Sequence, residues 1–289
     1  MGDLLLRGTL YKANIRFFAI DSRDMVTEAQ KLQLTNPAAT ILLGRFITMA
    51  AMMGAMLKSD KESFTITMDG GGPAGRLVAS VNSKSRVKGY ITNPDPVFDE
   101  NTAAIGSLVG KDGKISVVRD TGLKTPYIGQ SKLISGEIAE DFAYYFSVSE
   151  QKPSLVSLGV TLDEKAVVST SGGIIVQPMP QCPDELIDRL EARAMLMSDI
   201  SRQLEIFDLE GYVKALFRDM DLNIHDRLVP EYKCDCSREK VAGVIRSLGK
   251  DEIRDMIEKD RGAEVNCHFC RKSYHFTQDE LENILGDIK

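Results

Sequence analysis

Two close pairs of cysteines lie near the C-terminal end of this 289-residue chain and account for four of its five cysteines. The first pair is Cys234 and Cys236, and the second, thirty residues further on, is Cys267 and Cys270. Two such pairs that a fold brings together supply four sulfur ligands, the set that tetrahedral zinc prefers in structural sites. The sequence therefore predicts one zinc ion in a closed shell, with no open position for a catalytic water.

The same spacings suit oxidation. Only one residue separates Cys234 from Cys236, so a disulfide between them is expected to be strained and easily reduced again. Cys267 and Cys270 have the two-residue gap of redox-active pairs. Each pair can form its own local disulfide, which would remove the metal ligands. The residues alone leave open two hypotheses, a static zinc module and a redox switch.

Composition and charge restrict the possible partners. Hydrophobic residues make up 43% of the chain and charged residues 27%, as in ordinary globular proteins. The longest apolar run, Ile41–Leu57, contains Arg45 and predicts a buried helix rather than a membrane span. Leu4–Leu6 is too short for a signal peptide, which predicts a cytoplasmic protein with reduced thiols. Residues 231–289 carry 11 basic and 13 acidic side chains, the wrong sign for a nucleic-acid module, so neither nucleic acid nor membrane is predicted as a partner.

Residues 1–180 are predicted to form one large α+β domain with an antiparallel-type sheet and buried helices. Asn36 and Pro37 resemble the cap and first residue of a helix that reaches about Lys58. Strands and helices then mix without a regular βαβ rhythm. The further predicted elements are strands at Ser63–Asp69, Arg76–Asn82 and around Ile115 and Val117, a helix at Glu137–Ser147, and strands at Leu155–Val160, Ala166–Thr170 and Ile174–Gln177.

Residues 181–230 are predicted to be an amphipathic helical linker. Pro183 opens a helix, and residues 183–230 carry 11 acidic side chains against 6 basic ones. The apolar residues recur at three- and four-residue steps and predict a face that packs on the N-terminal domain, although not very strongly. They are Leu186, Leu190, Ala194, Met197, Ile200 and Leu204, and in a second helix Tyr212, Val213, Leu216, Phe217 and Met220.

Residues 231–289 are predicted to be a small C-terminal zinc-binding domain. A segment of this size is marginal alone, and a bound metal would stabilise it. Thr277 and Glu280 predict a capping box at the start of a last helix, with Phe276 and Leu281 at the hydrophobic-staple positions. The nearby His268 and His275 are the only other candidate ligands in this segment, and a place outside the metal shell is preferred for both.

The remaining motifs do not predict an enzyme. Gly70–Gly75 matches the spacing of a dinucleotide-binding loop, but a strand rather than a helix is predicted to follow it. Gly172 and Gly173 predict a bulge or kink between two strands. Cys182 has no partner cysteine nearby and is interpreted as a free thiol. The sequence contains no recognisable set of nucleophile, histidine and acid.

With these residues identified, the chain resembles the redox-regulated bacterial heat-shock chaperones, the 33-kilodalton holdase chaperonins. Length, order and cysteine spacing agree from end to end, whereas Cys182 lies outside the family pattern. The segments that carry the resemblance are Tyr232–Ser237, Glu264–Cys270 with Tyr274 and Phe276, Tyr145-Phe146 with Ser149–Gln151, Gly172-Gly173, and the turn at Gly72-Pro73.

The resemblance implies a redox-controlled, ATP-independent holdase. In the implied reduced form the protein is zinc-bound, folded and inactive. Peroxide with heat, or hypochlorous acid, would then join Cys234 to Cys236 and Cys267 to Cys270 and release zinc. The C-terminal domain would unfold, the linker would loosen, and a homodimer would hold unfolding client proteins.

Energetics are consistent with this reading, and two rival functions remain. A structural zinc contributes on the order of 10 kcal/mol in small zinc peptides, similar to the whole stability of a domain, so its loss can unfold a small domain. The linker's apolar residues, or the surface they cover, would then become a protein-binding surface.

The alternatives are a zinc-ribbon-like nucleic-acid-binding regulator, which the negative charge disfavours, and a thiol–disulfide oxidoreductase that uses Cys267 and Cys270.

Overall fold

The chain folds into two compact units, Met1–Lys233 and Cys234–Lys289. The structure is a computed structural model that describes residues 2–98, 104–123 and 125–288. The linker segment 181–230 is part of the first unit. The predicted division at residues 180 and 230 stays a prediction.

The first unit contains two sheets and the helices packed on them. One sheet has the strand order β10-β1-β2-β9-β8 and the other β11-β5-β4-β3-β6-β7. The strand pairs are antiparallel except for β11 with β5, so the architecture is the predicted α+β class. The elements are β1 (Leu4–Leu10), β2 (Ile15–Asp21), α1 (Arg23–Gln33), α2 (Pro37–Gly54), β3 (Ser63–Asp69), β4 (Leu77–Asn82), β5 (Arg86–Ile91), β6 (Lys114–Asp120), β7 (Tyr127–Lys132), α3 (Ile138–Val148), β8 (Leu155–Leu162), β9 (Val168–Pro178), α4 (Asp184–Glu191), α5 (Ala194–Met197), α6 (Ile200–Ile206), α7 (Leu209–Leu216), β10 (Asn223–Leu228) and β11 (Glu231–Tyr232).

The predicted buried helix is α2. Its N-cap is Asn36, whose side chain accepts a hydrogen bond from the Ala39 amide at 2.9 Å, and Pro37 takes the first helical position. The helix ends at Gly54, before the predicted Lys58. By length and composition α2 would suffice to cross a membrane, with a mean hydropathy of 1.3, but 78% of it is buried inside the unit. It packs against strands of both sheets and forms the centre of the main core.

The five-stranded sheet is buried on both faces. On one face Leu5, Phe18 and Ile20 join the core around α2. On the other face the sheet packs against the linker. This second cluster consists of Leu6, Leu10, Ile15, Phe17, Ala19, Ile174 and Val176 from the sheet, and Leu190, Met197, Ile200, Leu209, Tyr212, Val213, Leu216, Phe217 and Met220 from the linker, with Leu186 and Leu204 partly buried beside them.

Two sequence-based expectations about this region were wrong in detail. The apolar repeat from Leu186 to Leu204 forms three short helices, α4, α5 and α6, rather than one. Arg193, at the first break, donates hydrogen bonds to the Leu216 carbonyl at 2.7 Å and to the Asp219 carboxylate at 2.6 and 2.7 Å. The chain therefore bends where this side chain reaches the end of α7.

The expected kink at Gly172 and Gly173 is absent, since β9 runs unbroken from Val168 to Pro178. Gly172 pairs with Gly159 of β8 in a continuous register. These glycines provide space rather than a bend, because a Cβ at Gly172 would collide with Leu204 of the linker and one at Gly173 with Met52 of α2.

The second unit has a small core. Its elements are α8 (Arg238–Ser247), α9 (Lys250–Asp255), β12 (Gly262–Asn266), β13 (Ser273–Thr277) and α10 (Gln278–Gly286). The capping box between Thr277 and Glu280 is confirmed at the start of α10, and Phe276 and Leu281 are both buried. The buried core residues are Val241, Ile245, Ile253, Tyr274, Phe276, Leu281 and Ile284.

Candidate functional site

The fold brings the two cysteine pairs together. The Sγ atoms of Cys234, Cys236, Cys267 and Cys270 all lie within 4.8 Å of one another. Two short separations join the pairs crosswise, Cys234 to Cys267 at 3.6 Å and Cys236 to Cys270 at 3.4 Å. Four sulfurs around one zinc ion at ~2.3 Å would lie about 3.8 Å apart. The cluster therefore has the size and donor set of a soft-metal site, and an all-sulfur set does not suit Ca²⁺ or Mg²⁺, which prefer oxygen.

Two local structures hold the sulfurs in place. Cys267 and Cys270 lie in the turn between β12 and β13, where the Cys267 amide donates to the Lys272 carbonyl at 3.0 Å and the Arg271 amide donates to the Cys267 carbonyl at 2.7 Å. Arg271 has a left-handed φ of 56°, which tightens this turn. Cys236 immediately precedes the N-cap of α8, Ser237, whose side chain accepts a hydrogen bond from the Lys240 amide at 3.3 Å.

Arg238 connects the first cysteine pair to the rest of the unit. Its guanidinium donates to both carboxylate oxygens of Glu280, at 2.7 and 2.8 Å, and to the His275 carbonyl at 2.7 Å. It also lies over the Phe276 ring, 4.4 Å from the centroid. This residue therefore joins the start of α8 to β13 and α10. The sequence carried no signal for Arg238, whereas its partner Glu280 was identified by the capping box.

Tyr274 is a second residue whose role the sequence did not reveal. Its side chain is buried, and its hydroxyl donates to the Cys236 Sγ at 3.1 Å. This hydrogen bond is the main cause that raises the pKa of Tyr274. Burial raises the pKa of Cys236, but the hydrogen bonds from Tyr274 and the other cysteines outweigh it and lower the pKa to about 7. Burial raises the pKa of both Cys234 and Cys270.

The other candidate ligands lie outside the sulfur cluster. Neither His268 nor His275 belongs to it. The His275 ring is 72% exposed and lies 3.8 Å from a carboxylate oxygen of Glu264. Cys182 lies in the first unit, partly buried beside the linker, and burial raises the pKa of its thiol. The four cysteines named from their spacing are thus the ones that the fold clusters.

Comparison with known proteins identifies the family. The sequence matches the family model described as Hsp33 protein over residues 3–277. The chain belongs to the Hsp33 family. Membership of this chaperone family supports a chaperone role for the chain, as the resemblance implied.

Similar Hsp33 proteins match along almost their whole length. The 33 kDa chaperonin of Oceanobacillus iheyensis is 42% identical over 288 residues, which are 98% of this chain and 99% of that protein. The 33 kDa chaperonin of Alkaliphilus oremlandii is 40% identical over 293 residues, with 100% and 98% covered. The crystal structure of the 33 kDa chaperonin from Thermotoga maritima superposes with a TM-score of 0.89 at 34% identity, covering 99% of this chain and 98% of that one.

In this Hsp33 chain the linker helix α6 packs tightly on strands β8 and β9. The three nearest atoms to a Cβ built on Gly159 all belong to Ser201, at 2.6 Å from its Oγ, 2.7 Å from its Cβ and 3.0 Å from its backbone nitrogen. The Thr170 hydroxyl donates to the Ser201 carbonyl at 2.9 Å. Gly159, Thr170 and Gly172 of the sheet and Ser201 of α6 form a close contact, called here the α6 seat. A side chain at either glycine would occupy the space that the linker fills.

Proposed function

We propose that this chain is an ATP-independent holdase whose activity is switched by oxidation of Cys234, Cys236, Cys267 and Cys270. The observation that carries the proposal is the four-sulfur cluster in a unit with a small hydrophobic core. Zinc, when bound, would supply a bridge between the two cysteine segments and much of the folding free energy of the unit. The reduced form is then folded and inactive.

Oxidation removes the ligands without other chemistry. In each pair the two thiols lose two protons and two electrons and form one S–S bond, and one molecule of hydrogen peroxide accepts them and becomes two molecules of water. Four cysteines therefore consume two peroxides. Disulfide sulfur lacks the thiolate charge that binds a metal, so the segments lose their common ligand set.

The proposed pairs are Cys234 with Cys236 and Cys267 with Cys270. Two crosswise neighbours are also close, at 3.6 and 3.4 Å. A crosswise disulfide would close a loop of more than thirty residues and stabilise the unit by about 4 kcal/mol, acting as a covalent replacement for the metal. Local disulfides leave the two segments unconnected. Local pairing therefore leaves the unit less stable than crosswise pairing would, in keeping with the pairing that the family resemblance implies.

The short strand β11 and Lys233 connect Cys234 to the linker, so unfolding of the second unit reaches the linker through them. The Lys233 amide donates to the Val87 carbonyl at 2.8 Å, and the Tyr232 hydroxyl donates to the Gly89 carbonyl at 2.6 Å. This pairing of β11 with β5 covers only two residues, so it is easily lost once the following residues unfold. The acidic linker is released next, which exposes its apolar residues and the sheet face beneath them as a surface for clients.

The remaining parts of the proposal concern partners and location. The partners are unfolding client proteins, and the oxidised form is a homodimer, since exposed apolar surface also favours self-association. The resting protein requires a compartment that keeps thiols reduced, such as the cytoplasm. Holding needs no covalent step on the client, so we propose no enzymatic activity.

The test combines four measurements on one sample. The protein is treated with peroxide at raised temperature, and free thiols, released zinc, disulfide connectivity by mass spectrometry, and light scattering of a heat-denatured client enzyme are recorded. We expect loss of four thiols, release of one zinc, local disulfides and suppressed scattering. Unchanged scattering after complete zinc release would contradict the holdase, and crosswise disulfides would contradict the proposed local pairing.

The hydrogen bond from Tyr274 gives a prediction about the strength of the metal site. Replacing Tyr274 with phenylalanine removes the donor to Cys236 but keeps the ring in the core. Loss of such a supporting hydrogen bond weakens metal binding by roughly tenfold or more. Competition with a chelator under reducing conditions measures the zinc affinity, and Tyr127→Phe on the exposed edge strand β7 is the matched control. Equal affinities for the two variants would show that this hydrogen bond does not support the site.

A further inference from the structure

Strand β1 is an inner strand only because the linker pairs with it. In the order β10-β1-β2-β9-β8, the strand next to β1 on the outer side is β10, which comes from the end of the linker. The pairing joins Leu5 to Leu228 and Thr9 to Asn223, partners that lie more than 200 residues apart in sequence. If β10 leaves, β1 becomes the edge of the sheet.

The edge of β1 would present leucines on both faces, with the exposed Arg7 and the half-buried Thr9 following Leu5 on one of them. Leu5 belongs to the core around α2, and Leu6 and Leu10 belong to the cluster on the linker side. All three side chains are 0% exposed. An edge strand with unpaired amides and carbonyls and buried leucines on both sides readily pairs with another chain.

Strand β10 contacts β1 through few side chains, one of which is the exposed His225, whose Nε2 lies 2.9 Å from the Thr9 hydroxyl oxygen. Its residues alternate between exposed and half-buried, and Ile224 and Leu228 are the ones that pack against the apolar clusters. Asp226 forms an ion pair with Arg7 at 2.6 Å, in which both side chains are substantially exposed, and such pairs contribute little. The register also shifts between Arg7 and Gly8. Most of the contact is therefore main-chain pairing, which a different sequence can supply.

We propose that the edge of β1 is a client-binding site, which accepts an extended segment of an unfolding protein as an added strand after β10 leaves. The inference rests on the proposed function, since it requires release of the linker. Main-chain hydrogen bonds give affinity without a fixed sequence, and apolar side chains on either face of the added strand extend the two clusters. Folded proteins offer few unpaired strands, so the site selects chains that have begun to unfold.

A peptide with the sequence of Leu222–Val229 tests this site as a stand-in for the client segment. The labelled peptide is titrated into reduced and oxidised protein, and into a reduced full-length variant, Ile224→Asp with Leu228→Asp, in which β10 is loosened without oxidation. Two control peptides carry one proline each, at Asp226 or at Arg227, neighbouring positions on one side of the register shift. Alternate amides of a strand point to opposite sides, so the controls are expected to differ in affinity by roughly tenfold.

We expect binding to the oxidised protein and to the reduced variant, with at most weak binding to the reduced native chain, and we expect saturating peptide to restore scattering of a heat-denatured client. No binding to the reduced variant, or unchanged client holding at saturating peptide, would overturn the inference. The inference would also be overturned if the peptide converted an oxidised dimer into monomers without loss of client holding. The edge of β1 would then pair with a second copy of the chain in the dimer rather than with a client. Failure of the proposed function is seen separately, as scattering that oxidised protein does not suppress even without peptide.

Discussion

Replacing Cys267 and Cys270 with serine is expected to unfold the Cys234–Lys289 unit under fully reducing conditions while Met1–Lys233 stays folded. The double variant loses half of the sulfur ligands that lie within 4.8 Å of one another. Zinc binding in small domains is on the order of 10 kcal/mol, and a whole domain is stable by only about 5–15 kcal/mol. The small core around Tyr274 and Leu281 cannot offset that loss.

Amide hydrogen exchange and zinc content measure this effect directly. We expect β13 and α10 to lose protection and zinc to be absent, with exchange in α2 unchanged. The matched control is Cys182→Ser, which removes a thiol outside the cluster and is expected to keep both zinc and protection. A variant without zinc that retains full protection in β13 would refute the structural role of the metal.

A single added methyl group at Gly159 is expected to activate the chaperone without oxidation. The Cβ of Gly159→Ala would lie 2.6 to 3.0 Å from three atoms of Ser201, so α6 must leave its seat or move. Overpacking of this kind costs roughly 1–3 kcal/mol, which shifts the balance between docked and released linker by about 5- to 150-fold. The cysteines are untouched, so the zinc content should remain that of the native protein.

Two measurements, repeated on two comparison variants, separate the possible outcomes. Exchange in α6 is expected to rise, and reduced protein is expected to suppress client scattering without peroxide. Adding Ser201→Gly removes two of the three close atoms and should restore the inactive form, whereas Gly243→Ala, where nothing lies within 4 Å of the new methyl, should behave as native. A released α6 in a protein that still fails to hold clients would show that linker release is insufficient.

The sequence predicted the local features of the fold well. Asn36 with Pro37 marks the start of α2, and Thr277 with Glu280 marks the start of α10, because capping depends on residues close in sequence. The four clustered cysteines were identifiable because their chemistry requires close spacing. The apolar residues of the linker were identified correctly, although the bend at Arg193 was not, since it depends on contacts with Leu216 and Asp219.

What the sequence did not reveal depends on distant contacts. The pairing of β1 with β10 joins the two ends of the first unit and leaves no local periodic signal. Gly172 was read as a kink because its partner, Leu204 of the linker, is unknown without the fold. The crosswise proximity of the sulfurs and the hydrogen bond from Tyr274 likewise follow only from the way that two separate segments meet.

The five-stranded sheet has two independent covers, and only one of them comes from the linker. If the linker leaves as proposed, α2 still packs on the other face of the sheet, so we expect the uncovered face to keep its shape. We expect this preserved face of the sheet to be the surface on which the linker docks again once the thiols are reduced. We therefore expect the return to the inactive form to need only renewed docking of the linker on this surface, at a rate that does not depend on how fast the whole chain folds.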